Sequence, residues 1–131
     1  MHPIRASAEI DQAFLDAGDA GVDSLFVIPS RLTSIIAERI ATYARQRRLP
    51  VMTAWREFAD AGCLMSYGPS RINESRRLAV YVERMLAGAT PAALPIEQPT
   101  KFELVVNLRT AKTIGIAIPQ QILLRADEVI E

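Results

Sequence analysis

At 131 residues, half of them hydrophobic and 23% charged, the chain is long enough for one domain with its own core and too apolar for disorder. Fifteen basic and fifteen acidic residues cancel, which removes the electrostatic case for nucleic acid or an anionic membrane as a partner. A single cysteine excludes an internal disulfide, and no apolar run approaches the ~18 residues of a membrane span.

The opening stretch MHPIRASAEIDQAF lacks the apolar centre of a secretory signal. Ser7, followed by Ala8, Glu9 and Ile10, reads as an N-cap and first turn, with acidic residues where the helix dipole favours them. Ile10, Phe14 and Leu15 recur at helical spacing, and Gly18 or Gly21 supplies a stop. VDSLFVIPS is then a nearly continuous apolar run closed by proline and serine, as expected of a strand buried on both faces. Thr33 is the expected cap of the next helix. Its apolar stripe is Ile36, Ile40, Tyr43 and Ala44, and Arg45, Arg47 and Arg48 crowd its carbonyl end.

LPVMTAW reads as the second strand, REFADAG as a helical turn or two, and CLMSY as the third strand. Cys63, beside Leu64 and Met65, reads as a small buried hydrophobe. A helix follows from about Ser70 to Ala87, with Ser75, Leu78, Val82, Met85 and Leu86 on one side and Gly88 at its end. ATPAALPIEQPT is too proline-rich for a helix or a central strand and is expected to be an extended connector. KFELVVNL is the fourth strand, and TAKTIG and PQQILLRADEVI are expected as two short helices divided by Gly115. Alternating strands and helices predict an α/β fold with a largely parallel sheet and ligands at the carboxyl ends of its strands.

Catalytic chemistry is sparse. There is no GxxxxGK[ST] loop and no GxGxxG after a strand. His2, the single histidine, stands near the terminus without a cysteine or second histidine at ligand spacing, so neither a zinc site nor a histidine-based triad is expected. Glu57 and Asp60, three apart, read as a solvated helix face near Arg56 before they read as an acid pair. The strand ends instead carry a binding inventory: Ser30, Arg31, Trp55, Arg56, Glu57, Tyr67 and Ser70. Trp55 and Tyr67 offer flat apolar faces with polar tips, and an arginine can hold a carboxylate with two hydrogen bonds. LMSYGPS admits three readings: an anion cradle at a helix start, a moving joint, or a tight turn.

Several stretches together resemble a known family. DSLFVIPS, REFADAGCLMSYGPS, and above all PIEQPTKFELVVNLRTAK followed by GIAIPQQILLRADEVIE look like substrate-binding proteins of ABC transporters. The branch they resemble binds aromatic amino acids such as tryptophan or tyrosine. The resemblance runs from about residue 8 to the end and corresponds to the carboxy-terminal portion of such proteins. It implies a type I periplasmic binding protein fold, with a parallel-sheet lobe here and one strand and helix belonging to the other lobe. On that scheme 1–62 is second-lobe α/β structure and 63–88 is a hinge strand and helix of the first lobe. The stretch 89–100 is a proline-rich crossing, and 101–131 is the second-lobe strand with terminal helices.

The resemblance further implies ligand contacts from Pro29 and Ser30, from Trp55, Arg56 and Glu57, and from Ser66 and Tyr67. LMSYGPS becomes a lobe crossing, with Gly68 for backbone freedom and Pro69 opening the helix. The implied function is non-catalytic capture of a small organic molecule such as an amino acid for an ABC importer, with no metal and no cofactor. The implied partners are that ligand, weakly held by this chain alone, and a membrane permease. The implied location is periplasmic for the longer protein, although this chain carries no recognisable export signal. Leu78, Val82 and Met85 would lack their usual cover, which predicts a homo-oligomer through that helix face. Two alternatives stay open: a ligand-sensing or interaction domain of the same fold, and, with less support, a small flavodoxin-like enzyme.

Overall fold

The structure, a computed structural model, describes residues 9–131; Ser7 and His2 lie outside the described residues. Helix α1 (Glu9–Asp19) leads to strand β1 (Leu25–Val27), and the next helical stretch is divided into α2 (Arg31–Ile35) and α3 (Ala37–Gln46). Ser30, not Thr33, caps it. The Ser30 hydroxyl accepts from the Thr33 N–H at 3.1 Å, and Thr33 Oγ1 accepts from the Ser30 N–H at 2.7 Å. Two orphan donors are thereby satisfied reciprocally, with Thr33 three residues inside the helix. Strand β2 (Val51–Thr53), helix α4 (Arg56–Asp60), strand β3 (Met65–Pro69) and helix α5 (Arg71–Leu86) follow where sequence placed them. The connector holds a single 3-10 turn at Pro91–Ala93.

Strand β4 (Phe102–Asn107), helix α6 (Leu108–Ile114) and a short helix α7 (Gln120–Leu123) lead to β5 (Glu128–Ile130). The fifth strand corrects the expectation of a helix through Glu128–Ile130. The helix ends at Leu123, and Asp127 then clamps Leu104: its carboxylate accepts the Leu104 N–H at 2.8 Å, and its own N–H donates to the Leu104 carbonyl at 2.9 Å. The next three residues then pair beside Val105–Asn107. Backbone pairing overrides a weak local helical preference.

The five strands lie in sequence order. β1–β2, β2–β3 and β4–β5 are parallel, and β3–β4 is antiparallel. The main core packs Ile10, Ile36, Ile40, Ala44, Phe58 and Cys63 against Val51, flanked by Leu25, Val27 and a Phe14–Tyr43 stack with centroids 4.0 Å apart. Full burial of a side chain such as Phe58 contributes about 1.5–3 kcal/mol. The expectation that the first strand is buried on both faces is not met: Leu25 and Val27 turn to this core, but Phe26 between them is 65% exposed. β1 pairs only with β2 and is a sheet edge. A second cluster of Leu64, Ala111 and Ile114 seats α6. Asn107 ties it down, donating to the Ala59 carbonyl and accepting from the Thr110 N–H, both at 2.9 Å.

The antiparallel step has a topological cause. The chain leaves the sheet at Pro69 and re-enters at Phe102, directly opposite, and the Ser70 N–H donates to the Lys101 carbonyl at 3.0 Å. Residues 70–101 are therefore an excursion that starts and ends at one point of the sheet. Its helix α5 has no buried residue.

Candidate ligand-binding site

Trp55 ends the β2 segment and stands as the extended residue before α4, which aims the residues after it out of the sheet's end. One side of Trp55 packs on the main core, and the Arg71 guanidinium covers its ring at 4.6 Å from the centroid. Arg71 also pairs with Glu57. Arg56 is already engaged: its two terminal nitrogens hold the Glu128 carboxylate at 2.5 and 2.6 Å, and its Nε donates to Asp60 at 3.3 Å. The hydrogen bond to Glu128, foremost, raises its pKa further above the ordinary arginine value. Arg56 and Glu57 thus gather with Arg71, Asp60 and Glu103 around a charged concavity of about 180 Å³ whose rim includes Ala54, Gly68 and Pro69, and Trp55 reaches it only through the Arg71 guanidinium over its ring.

The other expected contacts are dispersed. Ser30 spends its hydroxyl on the α2 cap, and Pro29 before it is half-buried. Ser66 and Tyr67 point to opposite sides of β3, as neighbours on a strand must. Ser66 is 1% exposed, in register with Thr53 and Val105, whereas Tyr67 is 51% exposed and stacks on Phe102 with centroids 5.7 Å apart. A single ligand face cannot take both side chains of that pair.

Gly68 is also not needed for backbone freedom. A Cβ there would lie 2.0 Å from the Ala54 carbonyl oxygen, so the glycine lets β3 pass against the end of β2. Pro69 closes β3 and does not open the helix; Ser70 is the residue before it. At the LMSYGPS junction two strand ends therefore come into close approach.

Arg71, Phe102 and Glu128 were not among the residues singled out from sequence. Arg71 did carry a signal, because a cation in the first turn opposes the helix dipole and so asks for another reason to be there. Among the described residues no group of acidic, histidine or cysteine side chains could hold a metal ion. Burial pushes the Cys63 thiol up to about 12, so it is neither nucleophile nor ligand at neutral pH. No helix among the described residues is long and apolar enough to cross a membrane.

No curated relative matches the chain. Among solved structures, a conserved domain protein from Vibrio cholerae O1 biovar El Tor superposes with a TM-score of 0.87 at 25% identity over 96% of this chain and 42% of that one. An ABC domain in complex with L-Trp from Streptococcus pneumoniae superposes with a TM-score of 0.85 at 20% identity over 97% of this chain and 44% of that one. The ligand-free, open structure of a substrate binding protein with adhesive properties from Clostridium difficile gives 0.68 at 19% identity, over 97% and 42%. The chain therefore spans less than half the length of these proteins. The family model for the ABC transporter substrate binding protein matches residues 3–130. Together with the mostly parallel five-stranded sheet, that match places the chain in the ABC transporter substrate-binding protein family.

Proposed function

We propose that the chain is the carboxy-terminal portion of a solute-binding component of an ABC importer, taking a small organic molecule such as an amino acid. The observation that carries this reading is the family match along residues 3–130. It performs no chemistry in this reading: ligand held between two lobes favours their closure, and the closed form is what a permease engages. In this reading the sheet forms one lobe, β3 included because it pairs between β2 and β4, and the 70–101 excursion with helix α5 is the part that belongs with the other lobe and the crossing. Such a binder works in the periplasm.

Trp55 supplies the apolar platform in this reading. Arg56, Glu57 and Arg71 supply charges for a zwitterion, and Pro29, Ser30 and Tyr67 frame the edges, with Ser66 on the buried face of β3 supporting the strand. Arg56 is held by Glu128 and Asp60 through all three of its nitrogens, whereas Arg71 gives one nitrogen to Glu57 and so keeps more donors for a carboxylate. Self-association through the exposed α5 face, Leu78, Val82 and Met85 included, belongs to the same reading.

The test is titration of this chain with tryptophan, tyrosine, leucine and valine, followed residue by residue by NMR. Weak, millimolar-range shifts centred on Trp55–Glu57 and Arg71, abolished by Trp55→Ala, are expected. Shifts centred elsewhere, or tight binding that survives Trp55→Ala, would overturn the residue assignment. Absence of any shift at Trp55 with all four amino acids would overturn the ligand class.

A further inference from the structure

The two rings that the strand ends offer for stacking already have partners inside this chain. Trp55 is half-buried, with one side on the main core and the Arg71 guanidinium over its ring at 4.6 Å from the centroid. Glu57, two residues on, pairs with Arg71 and holds it there. Tyr67 stacks on Phe102, and neither of them lines the charged concavity. An aromatic group entering the concavity therefore meets a cation where the Trp55 ring would receive it.

The charges around the concavity do not balance. Arg56 is taken by Asp60 and Glu128, and Arg71 by Glu57, so Glu103 has no ion pair among the described residues. Arg56 and Arg71 thus face Glu57, Asp60 and Glu103 with one carboxylate in excess. A simple carboxylate is repelled by that excess, whereas a zwitterion brings its own ammonium group to offset it. Arg71 keeps donors that Glu57 does not use.

We propose that Arg71 is a specificity-determining residue: lying on Trp55, it closes the ring to aromatic ligands and selects an amino acid with an aliphatic side chain, whose carboxylate it holds while Glu103 takes the ammonium group. The binding role itself rests on the function reading above; the cover on Trp55 is built wholly from contacts within this chain. Trp55 is then the platform for the guanidinium and not for the ligand. For an aromatic side chain to stack there, Arg71 must leave both the ring and Glu57. At the usual small worth of an exposed cation–π contact and ion pair, that penalty is about fivefold in affinity. An aliphatic side chain does not need the ring face and incurs none of it.

Two measurements on this chain separate the cover from the binding role. Acrylamide quenching of Trp55, the one tryptophan, needs no ligand; stronger quenching in Arg71→Ala than in the native chain is expected, and equal quenching would overturn the cover. Titration with valine, leucine, phenylalanine and tryptophan, followed by NMR, should rank the aliphatic pair about fivefold above the aromatic pair. Arg71→Ala should weaken the aliphatic pair about tenfold and the aromatic pair only about twofold, so that the preference disappears. A variant that had merely lost structure would weaken all four alike. Isovalerate, which is valine without its ammonium group, should bind the native chain less well than valine, and Glu103→Gln should remove that difference. Tryptophan favoured over valine by the native chain, or four ligands weakened alike by Arg71→Ala, would overturn the selection and leave the binding role standing. Isovalerate bound as well as valine would overturn the part given to Glu103. Binding of none of the four would overturn the ligand class and this selection with it, even with the cover on Trp55 in place.

Discussion

Arg71, the first residue of α5, lays its guanidinium over the Trp55 ring at 4.6 Å while pairing with Glu57. One side chain thus links the helix of the 70–101 excursion to the end of β2. The contact explains why a cation occupies the first helical turn, where the dipole alone disfavours it. Arg71→Ala should cost about 1 kcal/mol, counting an exposed cation–π contact and an exposed ion pair at their usual small worth. Trp55 is the one tryptophan of the chain, so its emission reports the site directly. A shifted emission and a urea midpoint lowered by roughly 0.3–1 M are expected for Arg71→Ala, and Arg71→Lys should fall between it and the native chain.

Gly68 faces a backbone obstacle that cannot swing away. Gly68→Ala puts its Cβ 2.0 Å from the Ala54 carbonyl oxygen, so strands β2 and β3 must separate locally. A loss of about 1–3 kcal/mol, as for overpacked interiors, should appear in urea denaturation. Ala at Gly88, which has open space but a positive φ, should cost less, through backbone strain alone.

Cys63 gives the structure an alkaline limit. Its thiol ionises near 9.0 when exposed and is pushed up to about 12 by burial. Between those values the unfolded chain has lost a proton that the folded chain keeps, so unfolding stability falls as pH rises. Its contribution is complete below pH 9.0 and gone above about 12. Thermal melts from pH 8 to 11 should show the decline in the native chain and a flatter profile in Cys63→Ala. A thiol reagent at pH 8 should react only as the chain unfolds.

The Ser30–Thr33 box holds the start of α2. Ser30→Ala removes the cap acceptor and should cost about 1 kcal/mol, read as a drop in melting temperature. Because that hydroxyl is committed to the helix, the loss should appear as lowered stability whether or not ligand is present.

Strand and helix alternation, the strand-end position of Trp55 and the stop at Gly115 were legible in the residues themselves. Apolar runs, caps and breakers act within a few positions, and they place β1 to β4 and α3 to α6 without knowledge of anything distant. Exposure of Leu78, Val82 and Met85 followed from the family resemblance, and all three are exposed. The rest depended on residues brought together from far apart. Glu128–Ile130 became a strand because Leu104 and Val105 were there to pair with. Ser66 and Tyr67 were parted by the pleat once β3 was fixed between β2 and β4. Gly68 owes its identity to the Ala54 carbonyl, and Arg71 its place to Trp55. Local order is written in neighbouring side chains, whereas a site is made where separate segments meet, and here that meeting was decided by the sheet.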